Sequence, residues 1–483
     1  MDETVVEARN LIGGSPVDAP GRAEAHSPAT PARIVGTYLL SGAAEVRAAV
    51  AAAREAFPGW RGRPGPERGN LLYAAADALA ARANALATLA ASEMGKPIGE
   101  ARAEAERAVA IFRYYAGEGA RAVGEVIPSQ RAGTLQYTER VPLGVVGAIT
   151  PWNFPLAIPA WKMAPALAYG NTVVLKPAEW ATLTAFRMVE ALASVLPPGV
   201  VNLVAGLGAD AGATLTAAEG VSGVTFTGSV ATGRAVATAA LARGAKYQLE
   251  MGGKNPVLVA EDADLELAAD LTLSGAMRSA GQKCTATSRA IVVAPVRQAF
   301  TEALVRRVQS LRVGDPLDPA TYVGPVVSRP QFEKILNLIG RGRDEGARLL
   351  AGGGAAAAAA EGGYYVAPTL FEAVTPAMAI FQEEIFGPVV AISEARDLDD
   401  AIRMANQVRF GRSASVFTRT LATAMRAVEG LEAGLVRVNE ESAGVELQAP
   451  FGGMKASSSH SREQGRAAIE FFTDTRTIAI RAG

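Results

Sequence analysis

"NTVVLKP" (171–177), "TAFRMVEALASVL" (184–196) and "VVNLVAG" (200–206) follow one another as a strand pattern, a helix pattern and a second strand pattern. Short apolar runs rich in valine suit a pleated strand, and the longer segment between them has helical spacing. The rhythm continues with "DAGATLTAA" (210–218) helical, "GVTFTG" (223–228) strand-like, "VATGRAVATAALAR" (230–243) helical and "KYQLEMGG" (246–253) strand-like. Upstream, "TLQYTERVPLGVVGAI" (134–149) reads as strand, with a tighter apolar run from Val145 to Ile149. Repeated β-α-β units place their strands in parallel, so residues 143–252 are expected to form a doubly wound α/β sheet.

Working outward, the pattern from Ala43 to Ala120 is helical in three stretches, 43–57, 70–95 and 101–120. Beyond the sheet, a second alternating region opens at "NPVLVAEDADLELAADLTLSGAMRSAG" (255–281) and runs past 420, which implies a second α/β domain. "AGGGAAAAAAEGG" (351–363) is low-complexity and reads as a surface excursion before "YYVAPTLF" (364–371). No solenoid-like repeat is evident.

Composition narrows the function. Hydrophobic residues make up 49% and charged residues 20% of the 483 residues, as in an ordinary soluble globular protein. The net charge of −1 provides no basic field for nucleic acid or an anionic membrane. "MDETVVEARN" (1–10) is acidic and polar, unlike a signal peptide. The longest uncharged run, Val141 to Trp161, holds Pro142, Pro151, Pro155 and Pro159 and reads as strand, loop and helix start, not a membrane helix. Cys284 is the only cysteine, so no intrachain disulfide can form, and a cytoplasmic location is expected. The only histidines are His26 and His460; HExxH and His/Cys metal sites cannot be written, and no metal is expected. With no G-x-S-x-G either, the base of any enzyme here is a carboxylate or a lysine.

Several short stretches carry chemistry. "VTFTGSVATG" (224–233) sets Ser229 at a strand-to-helix turn, and "GLGADAG" (206–212), with Gly208 and Gly212, forms another. A helix N-terminus offers free N–H groups to a phosphate, although tight glycine turns also arise without one. "LKPAEW" (175–180) puts Lys176 and Glu179 at a strand end, where open parallel sheets bind ligands. A carboxylate there accepts a ribose 2′-hydroxyl and repels a 2′-phosphate; a solvated surface pair is the alternative. "TPWNFP" (150–155) holds Trp152 and Asn153 between two prolines, and a rigidly held amide suits an oxyanion donor. "LEMGGKNP" (249–256) sets Glu250 beside two glycines, 34 residues before the cysteine of "GQKCTATSR" (281–289). A carboxylate in apolar surroundings has its pKa raised toward a useful value, whereas a lone cysteine is otherwise a small buried apolar residue.

Taken together with "EEIFGPV" (383–389) and "APFGGMK" (449–455), these motifs resemble the aldehyde dehydrogenase superfamily from about residue 35 to 480, in its order and spacing. The resemblance implies that Cys284 is the nucleophile, that Asn153 and the Cys284 N–H hold the oxyanion, and that Glu250 is the base that activates water. It implies cofactor contacts at Trp152, Lys176, Glu179, Gly208, Gly212 and Ser229, with Glu384 and Phe386 on the nicotinamide-ribose side. The family fold implies a Rossmann-like dinucleotide-binding domain (1–122 and 143–252), a catalytic α/β domain (253–465) and a small oligomerisation segment (123–142 and 466–483), making a homodimer or homotetramer.

The finer resemblance, in "NEESAGVELQAPFGGMKASSSHSREQG" (439–465), is to the 2,5-dioxopentanoate (α-ketoglutarate semialdehyde) dehydrogenases. It implies a small-molecule aldehyde that carries a carboxylate, for which Arg278 is the expected cation. Trp161 stands where succinic semialdehyde enzymes have an arginine. Glu179 favours NAD over NADP without closing the site to NADP. The alternatives are a broad-specificity aldehyde dehydrogenase, a CoA-acylating relative, a non-redox cysteine esterase and an inactive binding protein. The presence of Cys284, Glu250, Asn153 and the dinucleotide motifs together counts against the last three.

Overall fold

A computed structural model describes residues 5–121 and 123–481. The first four residues of the acidic start, and positions 122, 482 and 483 of the expected segments, lie outside the described residues.

The β-α-β reading of 143–252 is realised as five parallel strands in the order Lys246–Glu250, Val221–Thr227, Val145–Thr150, Thr172–Pro177 and Val201–Leu203. Thr172–Pro177 is buried at all six positions, because helices cover both faces of the sheet. Two short antiparallel strands, Asn10–Ile12 and Ser15–Val17, extend its far edge and bring the sheet to seven. At three residues each they are too brief for periodicity to show.

A second seven-stranded sheet runs Arg348–Ala351, Thr369–Glu372, Val389–Ala395, Thr287–Val293, Asn255–Val259, Ser413–Phe417 and Leu435–Val438. It is parallel except at the edge strand Arg348–Ala351. The helical region 43–120 forms four helices, Ala43–Arg61, Gly65–Ala80, Ala83–Met94 and Ile98–Glu118. The excursion at 351–363 holds one 3-10 turn, Ala357–Glu361, with no buried residue.

The stretch 134–149 is not one strand. It breaks at Gly144, whose φ of +133° and approach to Ser222 (2.6 Å from where a Cβ would sit) exclude a side chain. Val145–Thr150 enters the first sheet, while Thr134–Pro142 pairs antiparallel with Thr473–Arg481 along nine residues and with Val126–Ile127. This separate small sheet leaves Val126, Leu135 and Ile480 exposed. Among the described residues, no helix is long and apolar enough to cross a membrane.

Candidate active site

The backbone leading to Cys284 is strained. Ser279, Ala280 and Gly281 take φ of 55°, 52° and 70°, a left-handed conformation that costs a non-glycine residue about 1 kcal/mol. Glu100 offsets this, accepting from the Ser279 N–H at 2.9 Å and its hydroxyl at 2.6 Å. A Cβ on Gly281 would lie 2.1 Å from the Gly387 carbonyl, so the turn packs directly on the segment after Phe386. Asn255 fixes the cysteine from the other side: its amide donates to the carbonyls of Cys284 and Ala286 at 2.9 and 2.8 Å.

A cleft opens on the half-buried Cys284. Its wall brings together Trp152, Asn153, Ser229, Cys284, Glu384 and Phe386. Asn153, 4% exposed, donates one amide hydrogen to the Gln282 carbonyl at 2.9 Å. A primary amide carries two, so one is left over. Ser229 caps the helix Val230–Ala242, its hydroxyl accepting from the Thr232 N–H at 3.2 Å. Glu384 accepts from the Gly253 N–H at 2.9 Å. A Cβ on Gly252 would come within 2.1 Å of its carboxylate, so that approach requires glycine.

Trp152 stands edge-on to Phe386 and to Trp180, at centroid distances of 5.5 and 6.4 Å. The aromatic row leads from the cleft to the end of Thr172–Pro177, where Lys176 is buried and Glu179 half-buried. Burial lowers the Lys176 pKa and Glu179 opposes that shift. Gly212 lies beside Lys176, 3.8 Å from its Cδ where a Cβ would sit, and Gly208 is exposed with nothing within 4 Å of that position.

Not every expected residue reaches the cleft wall. Glu250 is 1% exposed at the end of Lys246–Glu250 and bonds instead to Arg412 and, at 2.7 Å, to the Ser458 hydroxyl. Burial raises its pKa, Arg412 opposing and Glu463 adding. Burial likewise pushes the Cys284 thiol up to about 11; Arg412 lowers it, while Glu384 and Glu250 raise it. Trp161 is buried against Phe451 with its indole N–H unpartnered. Arg278 is exposed, its guanidinium 6.0 Å from the Tyr322 ring centroid.

Among the buried charges that no sequence motif marks, three surround Glu250 or its partners: Lys162, Glu463 and Arg412. Lys162, the only charge in the wholly buried helix Ala157–Ala168, meets Glu463 and the Thr225 hydroxyl at 2.8 Å. Its signal was available, a lysine just past the long uncharged run. Glu463 and Arg412 had none, because their partners come from distant segments.

A model of the aldehyde dehydrogenase family matches residues 17–478. The chain belongs to that family. The alpha-ketoglutaric semialdehyde dehydrogenase of Bacillus subtilis is 51% identical over 457 residues, 94% of each chain. The alpha-ketoglutarate semialdehyde dehydrogenase of Haloferax volcanii is 43% identical, over 94% of this chain and 95% of that one. The crystal structure of betaine aldehyde dehydrogenase from Staphylococcus aureus in complex with NAD+ superposes with a TM-score of 0.95 at 33% identity, over 98% of this chain and 94% of that chain. The chain is therefore an NAD(P)-dependent aldehyde dehydrogenase with the family's two α/β sheets. Its residues fit a dinucleotide. The open turn at Gly208, the desolvated Lys176 beside it and the capped helix start at Ser229 form a cradle joined to the cysteine by the aromatic row. Among the described residues, no cluster of three or more His, Cys, Asp or Glu could hold a metal ion.

Proposed function

We propose that this aldehyde dehydrogenase oxidises a short oxo-acid aldehyde, 2,5-dioxopentanoate, to 2-oxoglutarate through a covalent intermediate on Cys284. The observation that carries the chemistry is the cleft that Cys284 shares with Asn153, whose amide has one hydrogen left over. The Cys284 sulfur attacks the aldehyde carbon to give a thiohemiacetal, and its oxyanion is held by the Asn153 amide and the Cys284 N–H. A bound NAD+ supplies the hydride acceptor. Lys176, Glu179, Gly208 and Gly212 would hold its adenosine side, Trp152 and Ser229 its pyrophosphate, and Glu384 and Phe386 its nicotinamide ribose. The acyl group left on sulfur as a thioester is released by water, from which Glu250 takes a proton. NAD is the preferred cofactor because Glu179 repels a 2′-phosphate.

The substrate reading rests on the semialdehyde relatives, which align over 94% of this chain. Arg278 is the cation proposed for the distal carboxylate and Trp161 a proposed substrate contact, both lying outside the wall of the cleft at Cys284. NADH formation from 2,5-dioxopentanoate and from hexanal at matched concentration tests it. An advantage in kcat/KM of about a hundredfold, or about 2.7 kcal/mol, is expected for the oxo-acid. Equal rates, or hexanal ahead, would leave a broad-specificity enzyme.

The remaining proposals are organisational. Residues 1–122 and 143–252 make the cofactor domain, 253–465 the catalytic domain, and 123–142 with 466–483 the contact between subunits of a cytoplasmic homodimer or homotetramer. Exposed Val126, Leu135 and Ile480 on the small sheet support that contact. Light scattering of the intact chain reads the subunit number.

A further inference from the structure

Glu250, on the reading just given, must serve the acyl group on Cys284, yet it is held elsewhere. Its Oε2 takes two donors: the Arg412 guanidinium and the Ser458 hydroxyl at 2.7 Å. Both donors are themselves fixed. Arg412, 1% exposed and immediately before Ser413–Phe417 of the second sheet, donates its other nitrogen to the carbonyls of Met251 and Ser457. The Phe451 ring lies 5.1 Å from the guanidinium carbon. Ser458 accepts from the Gly453 N–H at 2.6 Å. Its segment is clipped along the edge of Lys246–Glu250 by Met251 N–H to Ser457 O at 2.8 Å and Ser459 N–H to Leu249 O at 2.9 Å.

The arrangement is asymmetric. If the carboxylate leaves, Arg412 keeps the Ser458 hydroxyl and the two carbonyls as hydrogen-bond partners, with its Nε buried and unpartnered throughout. Glu250 is only half satisfied, since Oε1 is buried without a partner. The cost of taking both charges out of water offsets most of their attraction, so a buried carboxylate with one bare oxygen gains little net stability from its ion pair. The other ionisable groups near Glu250 are Cys284 and Glu463, the latter paired with Lys162. Arg412 is thus the cation in direct contact with the base.

We propose that Arg412 and Ser458 form a dock that holds Glu250 withdrawn while Cys284 attacks, and releases it for hydrolysis. Both are positioning residues, acting through Glu250. In the release step, Glu250 takes one proton from water and the hydroxyl oxygen bonds to the thioester carbon. The C–S bond then breaks with its electron pair on sulfur. The proton on Glu250 returns to the thiolate, and the carboxylic acid product ionises into solvent. This inference rests on Glu250 being the base.

The test is stopped-flow and steady-state NADH formation against pH for the full-length enzyme, with Ser458→Ala and Arg412→Met. Without the dock, the ionised form of Glu250 is less favoured. The acid limb of steady-state turnover should therefore move to higher pH, by about one unit for Arg412→Met and about half a unit for Ser458→Ala. The alkaline plateau should be no lower than in the parent enzyme, and Ser458→Ala should keep a full NADH burst. A residue that merely supports packing would lower turnover at every pH without moving the limb. An unmoved limb in Ser458→Ala with its burst intact overturns the dock; this variant decides the matter if Arg412→Met does not fold. Glu250→Gln separates the two readings. Steady turnover retained there removes the base assignment itself, whereas turnover lost with the burst kept, beside unmoved limbs in the dock variants, removes only the dock.

Discussion

The two sides of the proposed active site are built on opposite principles. On the first sheet's side, the proposed cofactor contacts Gly208 and Ser229 are exposed and Glu179 is half-buried, with Lys176 and Gly212 buried behind them. On the cysteine side, charge is sealed in: Glu250, Arg412, Lys162 and Glu463 are each 2% exposed or less. An exposed helix start pays little to meet a soluble anion and can be altered cheaply. Buried charges depend on one another, so a change to any of them is felt by the rest. Recognition is placed where errors are mild, and chemistry where geometry is unforgiving.

That contrast sets an order of effects. Cys284→Ala should abolish NADH formation while NAD+ still quenches tryptophan fluorescence; residual turnover would show that the sealed end is not where the bond forms. Glu250→Ala should cut steady turnover by about a hundredfold or more and keep a stoichiometric NADH burst. Loss of cofactor binding instead would move Glu250 to the open end. Gly252→Ala lies at the boundary. Its Cβ would come within 2.1 Å of the Glu384 carboxylate, so the KM for NAD+ should rise by about tenfold. An unchanged KM would mean that Glu384 moves aside freely.

The titration of Cys284 probes the sealed end directly. Its thiol is held up at about 11 by burial and the two nearby carboxylates. Thiolate is the reactive form, so alkylation by iodoacetamide should quicken by about tenfold per pH unit from 7 to 10. A plateau below pH 8.5 would show that the charge around it is arranged differently. The smallest effect belongs to the open end: Ser229→Ala removes the helix cap, worth about 1 kcal/mol, and should change the KM for NAD+ only a few-fold.

The open end was the more legible in sequence. Strand-to-helix turns at Gly208 and Ser229 and the strand end at Lys176 follow from local pattern, and the parallel sheet follows from their repetition. "TPWNFP" and "GQKCTATSR" were legible as motifs, and the structure brings Asn153 and Cys284 to one wall. The sealed end was not. Arg412 precedes an ordinary apolar strand, and Ser458 lies in a serine-rich loop; neither has a local reason to meet Glu250, more than 150 residues away along the chain. The break at Gly144 was hidden for a similar reason, since both halves of 134–149 are good strand sequence. Their separate strand pairings, and the crowding of Gly144 by Ser222, show that they part.

The height of the thiol pKa bears on how the protein ages. Burial holds the Cys284 thiol above the usual range, so the sulfur keeps its proton at neutral pH. Peroxides attack the anionic sulfur, and the first product, a sulfenic acid, is normally rescued by a neighbouring thiol. This chain has no second cysteine to provide that rescue. The proton on the idle sulfur should therefore slow its attack on peroxide.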